Sequence, residues 1–358
     1  MNILFVFYIP SGGVETLNRQ RAVALKNRGI NCHFLYYQKK RELVNKHEGP
    51  VFISNNDNEI KKILNNGNFK AVIITSDYRA LERFKKLGYK GKLIFEIQGL
   101  GTKEMAISEL KKAIPLAISY GDGVLMSKTP HIIEILSNQV LPLPQFIFNN
   151  CFNASEFSYK KLPQSINPIL MWIGRIESNK NWNEFLKIGH KLINEFDPNI
   201  KLYLFEDSSL SDPNERQRFQ QTIKELKLKK SVHIFSNIPH EKMAEYFSLV
   251  GDSGGFLCST SIIESFGYAI VEAMSCKCPV LSTKSDGVIN SIIHNKTGKY
   301  YTLGNISEAF NEGKELLTNY ELREHIRLTA LNHIKKEFSP DLYGQQFIDM
   351  LKNLRIKI

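Results

Sequence analysis

Glu264 and Glu272 are separated by seven residues in the stretch Glu264-Ser265-Phe266-Gly267 … Glu272. An apolar run over 268–275 predicts a helix, and Gly267 stands where it begins. The first-turn N–H groups of a helix have no intrahelical carbonyl partner, so they make an anion site suited to a phosphate. A carboxylate can accept hydrogen bonds from a pair of sugar hydroxyls. Glu264 before the helix and Glu272, about one and a half turns inside it, could each take a sugar. The phosphates would then lie between them at Ser265, Phe266 and Gly267. Glu272 is flanked by Ile270, Val271, Ala273 and Met274, an uncommon setting for a solvated charge. The plainer alternative is a surface helix with two ordinary glutamates.

Arg175 and Lys180 flank a turn after another apolar run. Both can reach a diphosphate, arginine through a planar fork and lysine as a point charge. Read alone, they are equally a pair of exposed cations. Gly12 and Gly13 let backbone approach a ligand closely, and the helix after them can aim its tip at an anion. Alone, they are a turn. No Asp-x-Asp occurs, so the sequence does not require a bound divalent metal, and no other cofactor is expected.

These residues need strands to hold them. Apolar runs at 3–8, 32–37, 51–54, 71–75, 93–97 and 123–126 predict strands, alternating with helical patterns at 15–28, 59–64, 77–87 and 103–118. The polar stretch 153–167, with Pro163, breaks this rhythm and is the expected linker. Strands then follow at 169–173, 201–205, 232–235, 255–257 and 279–282, with helices at 183–194, 212–226, 242–248 and 268–275. The alternation predicts α/β architecture: two Rossmann-like, doubly wound domains in tandem, facing across a cleft. Open α/β sheets bind ligands at the carboxyl ends of their strands, which is where the candidate residues fall.

The 358 residues suit two domains, and 42% apolar with 23% charged residues suits a globular chain. The expected domains are 1–160 and 165–339, with a helix at about 340–358 that crosses back to the first. No apolar run approaches the roughly 20 residues of a membrane helix. Residues 1–8 are apolar at once, without a basic leader or a cleavage site, so they predict a strand rather than a signal peptide. The five cysteines are scattered, and Cys276 and Cys278 match neither a redox nor a zinc spacing. The expected compartment is the cytoplasm. The net charge of +11 fits a lysine-rich solvated surface or a polyanionic partner. Without a basic block or a nucleic-acid motif, no nucleic acid is expected.

The pattern Glu-x-Phe-Gly-x4-Glu-Ala-Met at 264–274 resembles the E-x7-E signature of retaining glycosyltransferases, specifically glycosyltransferase family four with the GT-B fold. Cys278-Pro279-Val280-Leu281-Ser282-Thr283 … Asp286-Gly287 is similar to that family's next strand and loop, and Asn295-Lys296-Thr297-Gly298 to its later turn. Gly12-Gly13-Val14-Glu15 resembles its N-terminal glycine loop. Gly174-Arg175 with Lys180-Asn181 resembles its phosphate clamp. The resemblance runs over nearly the whole chain. It implies transfer of a sugar, with retention and without a metal, from a UDP- or GDP-linked donor to a hydroxyl of an unknown acceptor. The pathways it covers are cell-surface glycan, glycolipid and secondary-metabolite glycosylation. It places the acceptor in the first domain and the nucleotide sugar in the second. It sets the loop at Ile238 beside the base, through main-chain groups.

Two departures stand out. Many relatives carry a histidine near the donor sugar where this chain has Phe95-Glu96-Ile97-Gln98-Gly99. Gln98 could bond a donor-sugar hydroxyl and Glu96 could act as a base. Where relatives have a Gly-x-Gly loop, this chain has Glu206-Asp207-Ser208-Ser209. Two other readings stay open: a sugar-nucleotide epimerase on the same fold, and a non-catalytic sugar-nucleotide-binding subunit. A dinucleotide oxidoreductase does not fit, because Gly12-Gly13 lacks the Gly-x-Gly-x-x-Gly spacing. The stretch 103–118 sets Lys103, Lys111 and Lys112 beside Met105, Ile107, Leu110, Ile114 and Leu116. It reads either as a core-packed helix with a lysine fringe or as a peripheral contact at the inner membrane face.

Overall fold

The computed structural model describes every residue except 40–42, 44, 140, 156, 164, 209, 210 and 358. The chain divides into two compact units, Met1–Asn153 with Glu337–Ile358, and Ala154–Lys336.

The first unit alternates β1 (Asn2–Phe7), α1 (Gly13–Lys26), β2 (Asn31–Tyr36), β3 (Val51–Ile53), α2 (Asp57–Asn66), β4 (Phe69–Thr75), α3 (Arg79–Lys86), β5 (Lys92–Ile97), α4 (Lys103–Tyr120), β6 (Gly123–Met126), α5 (Pro130–Ser137) and β7 (Gln145–Ile147). Its sheet runs β3-β2-β1-β4-β5-β6-β7, with every neighbouring pair parallel. Leu4, Val6, Val72, Ile74, Leu93 and Phe95 lie in its core. Parallel strands covered on both faces need continuous apolar runs, which is why β1, β4 and β5 are legible as strands.

The second unit alternates β8 (Ile169–Ile173), α6 (Trp182–Glu195), β9 (Lys201–Glu206), α7 (Pro213–Glu225), β10 (Val232–Ser236), α8 (His240–Asp252), β11 (Phe256–Ser259), α9 (Tyr268–Ser275), β12 (Val280–Thr283), β13 (Lys299–Tyr301), α10 (Ile306–Thr318) and α11 (Tyr320–Glu337). Its sheet runs β10-β9-β8-β11-β12-β13, also parallel. Trp172, Trp182, Phe185 and Phe219 fill its core. The order reverses between β8 and β11, so the loops after these two strands open side by side at the switch point, where α/β sheets place ligands.

The final helix, α12 (Pro340–Asn353), belongs to the first unit. Phe347 stands 6.1 Å from the Phe5 ring, and Tyr343 meets Phe148 edge-on at 5.4 Å. Phe152 N–H donates to the Phe338 carbonyl at 2.7 Å, joining the outgoing and returning chain within that unit.

The stretch expected as a linker is partly packed. Ala154 and Phe157 are buried, and Ser275 Oγ donates to the Phe157 carbonyl at 2.6 Å and lies 3.3 Å from that of Ala154. Phe157 packs against the rings of His240 and Phe247. Helix α4 buries Ala106, Leu110, Ala113 and Ala117, while Met105, Ile107 and Ile118 stay exposed. Among the described residues no helix is long and apolar enough to cross a membrane.

Candidate active site

Ile173 ends β8, and the chain turns through Gly174 and Arg175 into a 3-10 turn, Ser178–Lys180, that leads to α6. Ser259 ends β11, and the loop through Glu264, Ser265 and Phe266 leads to α9. The two loops are tied together. Ile262 N–H donates to the Asn179 carbonyl at 2.9 Å. The Asn179 side chain donates to the Ile263 carbonyl and accepts from the Ile263 N–H, both at 3.2 Å. Thr260 Oγ1 lies 3.0 and 2.9 Å from the carbonyls of Lys180 and Asn181. Trp172 Nε1 donates to Thr260 Oγ1 at 3.1 Å.

That frame brings Lys180 Nζ to 2.7 Å from Glu264 Oε2, in a pair about four-fifths buried. Arg175 is more exposed and pairs with Glu177 at 3.1 Å. A third loop supports Glu264 from behind, where Gly287 N–H donates to its carbonyl at 3.0 Å. A Cβ on Gly287 would fall 2.0 Å from that carbonyl oxygen and 2.3 Å from the Ser265 carbonyl carbon. Only glycine fits there.

Gly267 caps α9 in the left-handed region, φ 76° and ψ 55°. Glycine enters that region without the steric cost that a Cβ brings. Phe266 is buried, its ring 4.7 Å from that of Tyr268. Glu272, the fifth residue of α9, is 5% exposed. Its Oε1 lies 2.7 Å from Nε2 of His240. A carboxylate only accepts, so Nε2 carries the proton. Sequence reasoning assigned no role to His240: after Ile238-Pro239 it looks like the start of any helix. Ile238 is half-buried in the turn between β10 and α8.

Glu206 ends β9, with its side chain buried. It accepts from Arg216 of α7 and from Ser236 at the end of β10. The departure from a Gly-x-Gly loop is thus a carboxylate locked by two partners. Ser209, the last residue of that departure, lies outside the described residues.

The remaining candidates belong to the first unit. Gly12 caps α1 and Gly13 opens it. Gln98 follows β5 and exchanges two hydrogen bonds with Asn150, at 2.9 and 3.1 Å. That pair takes one of the two carboxamide N–H groups of Gln98. Glu96 does not fit the role of a base. It is 1% exposed and forks onto Arg21 at 2.8 and 3.1 Å, while Thr75 Oγ1 donates to it at 2.6 Å. Burial would push the Arg21 guanidinium down, but Glu96 beside it more than reverses this and holds it charged. Arg21 lies 75 positions before Glu96, so no local pattern reveals the pair.

Among the described residues, no group of three His, Cys, Asp or Glu could hold a metal ion. All five cysteines are buried.

A family model described as "Glycosyl transferases group 1" matches residues 155–333, half of the chain. A probable sucrose-phosphate synthase of Thermosipho melanesiensis is 29% identical over 198 residues, covering 52% of this chain and 41% of that protein. A 2-deoxystreptamine N-acetyl-D-glucosaminyltransferase of Niallia circulans is 22% identical over 181 residues, covering 51% and 44%. The chain thus spans less than half the length of these two relatives. The structure is similar to that of Anabaena Alr3699/HepE in complex with UDP and glucose, with a TM-score of 0.81 and 16% identity over 99% of this chain and 100% of that one. It is also similar to sucrose-phosphate synthase from Thermosynechococcus elongatus, with a TM-score of 0.80 and 15% identity over 99% of each chain. At these identities the likeness establishes the fold, GT-B.

Proposed function

This chain belongs to the group 1 glycosyl transferases, and we propose that it is a retaining family four enzyme that moves a sugar from a nucleoside-diphosphate donor to an acceptor hydroxyl. The observation that carries the reading is the Lys180–Glu264 pair at the switch point of the second sheet, with Gly267 at the tip of the helix that follows and Glu272 inside it. Glu264 takes the transferred sugar, Ser265, Phe266 and Gly267 at the helix tip take the diphosphate, and Glu272 takes the ribose. Ile238 borders the base. The Anabaena protein was captured with UDP-glucose, which supports a uridine-linked donor over a guanosine-linked one.

Breaking the anomeric C–O bond builds positive charge on the sugar and negative charge on the departing diphosphate. Arg175 and Lys180 neutralise that leaving group, helped by the first turn of α9. Both cations already rest on carboxylates, Glu177 and Glu264, so the diphosphate enters by competing for them. The charge is met by side chains, and the reading calls for no divalent metal. Gly12, Gly13 and Gln98 are assigned to the first unit's share of the work, which includes the acceptor. Five buried thiols suit a reducing compartment, and we place the reaction in the cytoplasm. Helix α4 would make any peripheral membrane contact, through Ile107 and Ile118 beside Lys103. Sedimentation with anionic vesicles tests that contact, and no sedimentation removes it.

The deciding experiment incubates the protein with uridine- and guanosine-diphosphate sugars and follows nucleoside diphosphate release. Release from one donor is expected, and Glu272→Ala should weaken binding of that nucleotide by about 10- to 100-fold, as for a lost charged hydrogen-bond partner. Nucleotide binding without release from any donor, with or without acceptors, would establish a sugar-nucleotide-binding subunit instead.

A further inference from the structure

His240 opens α8 and Glu272 lies within α9, so two separate helices bring them to 2.7 Å. The imidazole is not free to wander. It lies almost flat on the ring of Phe157, with centroids 4.9 Å apart and planes 28° from parallel. Phe157 is in turn held by α9, because Ser275 Oγ donates to its carbonyl at 2.6 Å. The chain of contacts closes on itself: α9 fixes Phe157, Phe157 fixes the ring, and the ring edge returns to a carboxylate on α9. Stacking covers the faces of an imidazole and leaves its edge for hydrogen bonding.

Glu272 needs such a partner. It is 5% exposed between Val271 and Ala273, which are fully buried, and a desolvated carboxylate without a donor is costly. A carboxylate offers about four lone-pair sites. The Nε2–H bond occupies one site on Oε1 and leaves enough for two more donors.

We infer that His240 is a positioning residue for nucleotide recognition: its Nε2–H fixes the plane of the Glu272 carboxylate so that the remaining lone pairs meet the 2′ and 3′ hydroxyls of the ribose. This rests on the reading that Glu272 holds the ribose. A glutamate side chain has several rotatable bonds, and a partner that holds it in its bound geometry removes the cost of ordering it on binding. Nothing in the local sequence marks this role, because the two residues are 32 positions apart.

The test is a cycle between protein and ligand. Calorimetry on the full chain compares UDP or GDP, whichever binds more tightly, with its 2′,3′-dideoxy analogue. The wild type should prefer the natural ribose. His240→Ala should weaken the natural nucleotide by about tenfold, the scale of one charge-assisted hydrogen bond, and leave the analogue unchanged. His240→Gln, which keeps an N–H near the Nε2 position, should recover most of the loss. Phe157→Leu, which removes the stack, should show a smaller loss of the same selectivity. In turnover, donor KM should rise with kcat nearly constant, the mark of binding lost equally from ground and transition states. Equal weakening of both nucleotides by His240→Ala and by Phe157→Leu would mean that His240 only supports the fold, and no weakening would remove it from recognition. A wild type that binds both nucleotides equally, or neither, overturns the ribose reading itself.

Discussion

Lys180 Nζ sits 2.7 Å from Glu264 Oε2, although the two residues are 84 positions apart in the chain. Each is delivered by a loop on one side of the strand-order reversal between β8 and β11. The pair gives the cation that we assign to the diphosphate a defined position in the fold.

Removing the cations should therefore strike the chemical step. Arg175→Ala with Lys180→Ala should lower kcat by at least about 100-fold, the scale of a lost donor to a developing anion. Acceptor KM should stay nearly constant. Steady-state kinetics with the released nucleoside diphosphate as readout checks this, and near-normal turnover would dismiss both residues from the leaving-group role.

Gly287→Ala probes the support behind Glu264. The added Cβ would press on backbone atoms of Glu264 and Ser265, and backbone cannot swing aside as a flexible side chain can. The expected loss is about 1–3 kcal/mol of stability, typical of overpacking, together with weaker donor binding. Denaturant unfolding and calorimetry measure the two. Unchanged donor affinity would show that the Glu264 loop tolerates displacement.

Glu96→Gln separates structure from chemistry in the first unit. Arg21 would keep its charge in a buried site without a carboxylate, and breaking one side of such a pair costs about 3–5 kcal/mol. Unfolding of the first unit should shift accordingly, while turnover per folded molecule stays near wild type. A fall of about 100-fold or more in turnover, as for a lost general base, would return Glu96 to the reaction.

The thiols should be silent in the native protein. Burial pushes Cys32, Cys151 and Cys278 up to about 12, and Cys258 and Cys276 further. At pH 8 an ordinary thiol is roughly one-quarter thiolate, whereas a value near 12 leaves about one in ten thousand. Ellman's reagent at pH 8 should find no fast-reacting thiol until guanidinium exposes all five. A fast native equivalent would reveal a thiol outside the packed interior.

Much of this architecture is legible in the chain because its strands are buried on both faces. Asn2–Phe7 and Ile169–Ile173 announce themselves as apolar runs, and Tyr268–Ser275 is a helix from its composition. Other elements hide their reasons elsewhere. β7 is three residues, Gln145–Ile147, just after Pro144, with no buried face of its own. β13 carries a fully buried Lys299, tolerable only because Glu312 and Glu315 of α10 reach it. Helix α11 buries only Ile326, Ala330 and Ile334, a thin stripe for 18 residues. The site divides in the same way. Motif residues at strand ends follow from type and spacing, whereas their partners come from distant segments: His240 for Glu272, Asn179 for the Glu264 loop and Arg21 for Glu96. No local pattern encodes such pairings.

The return of α12 to the first unit has a consequence for how the chain is made. Translation delivers residues 1–153 first, yet Phe347 and Tyr343, which meet Phe5 and Phe148, emerge only after all of residues 154–336. The second unit is one continuous stretch with its partners in hand once Lys336 has left the ribosome. Domains generally fold as units, so the half of the molecule begun first is completed last. Until then, Phe5 and Phe148 lack the ring contacts that α12 brings.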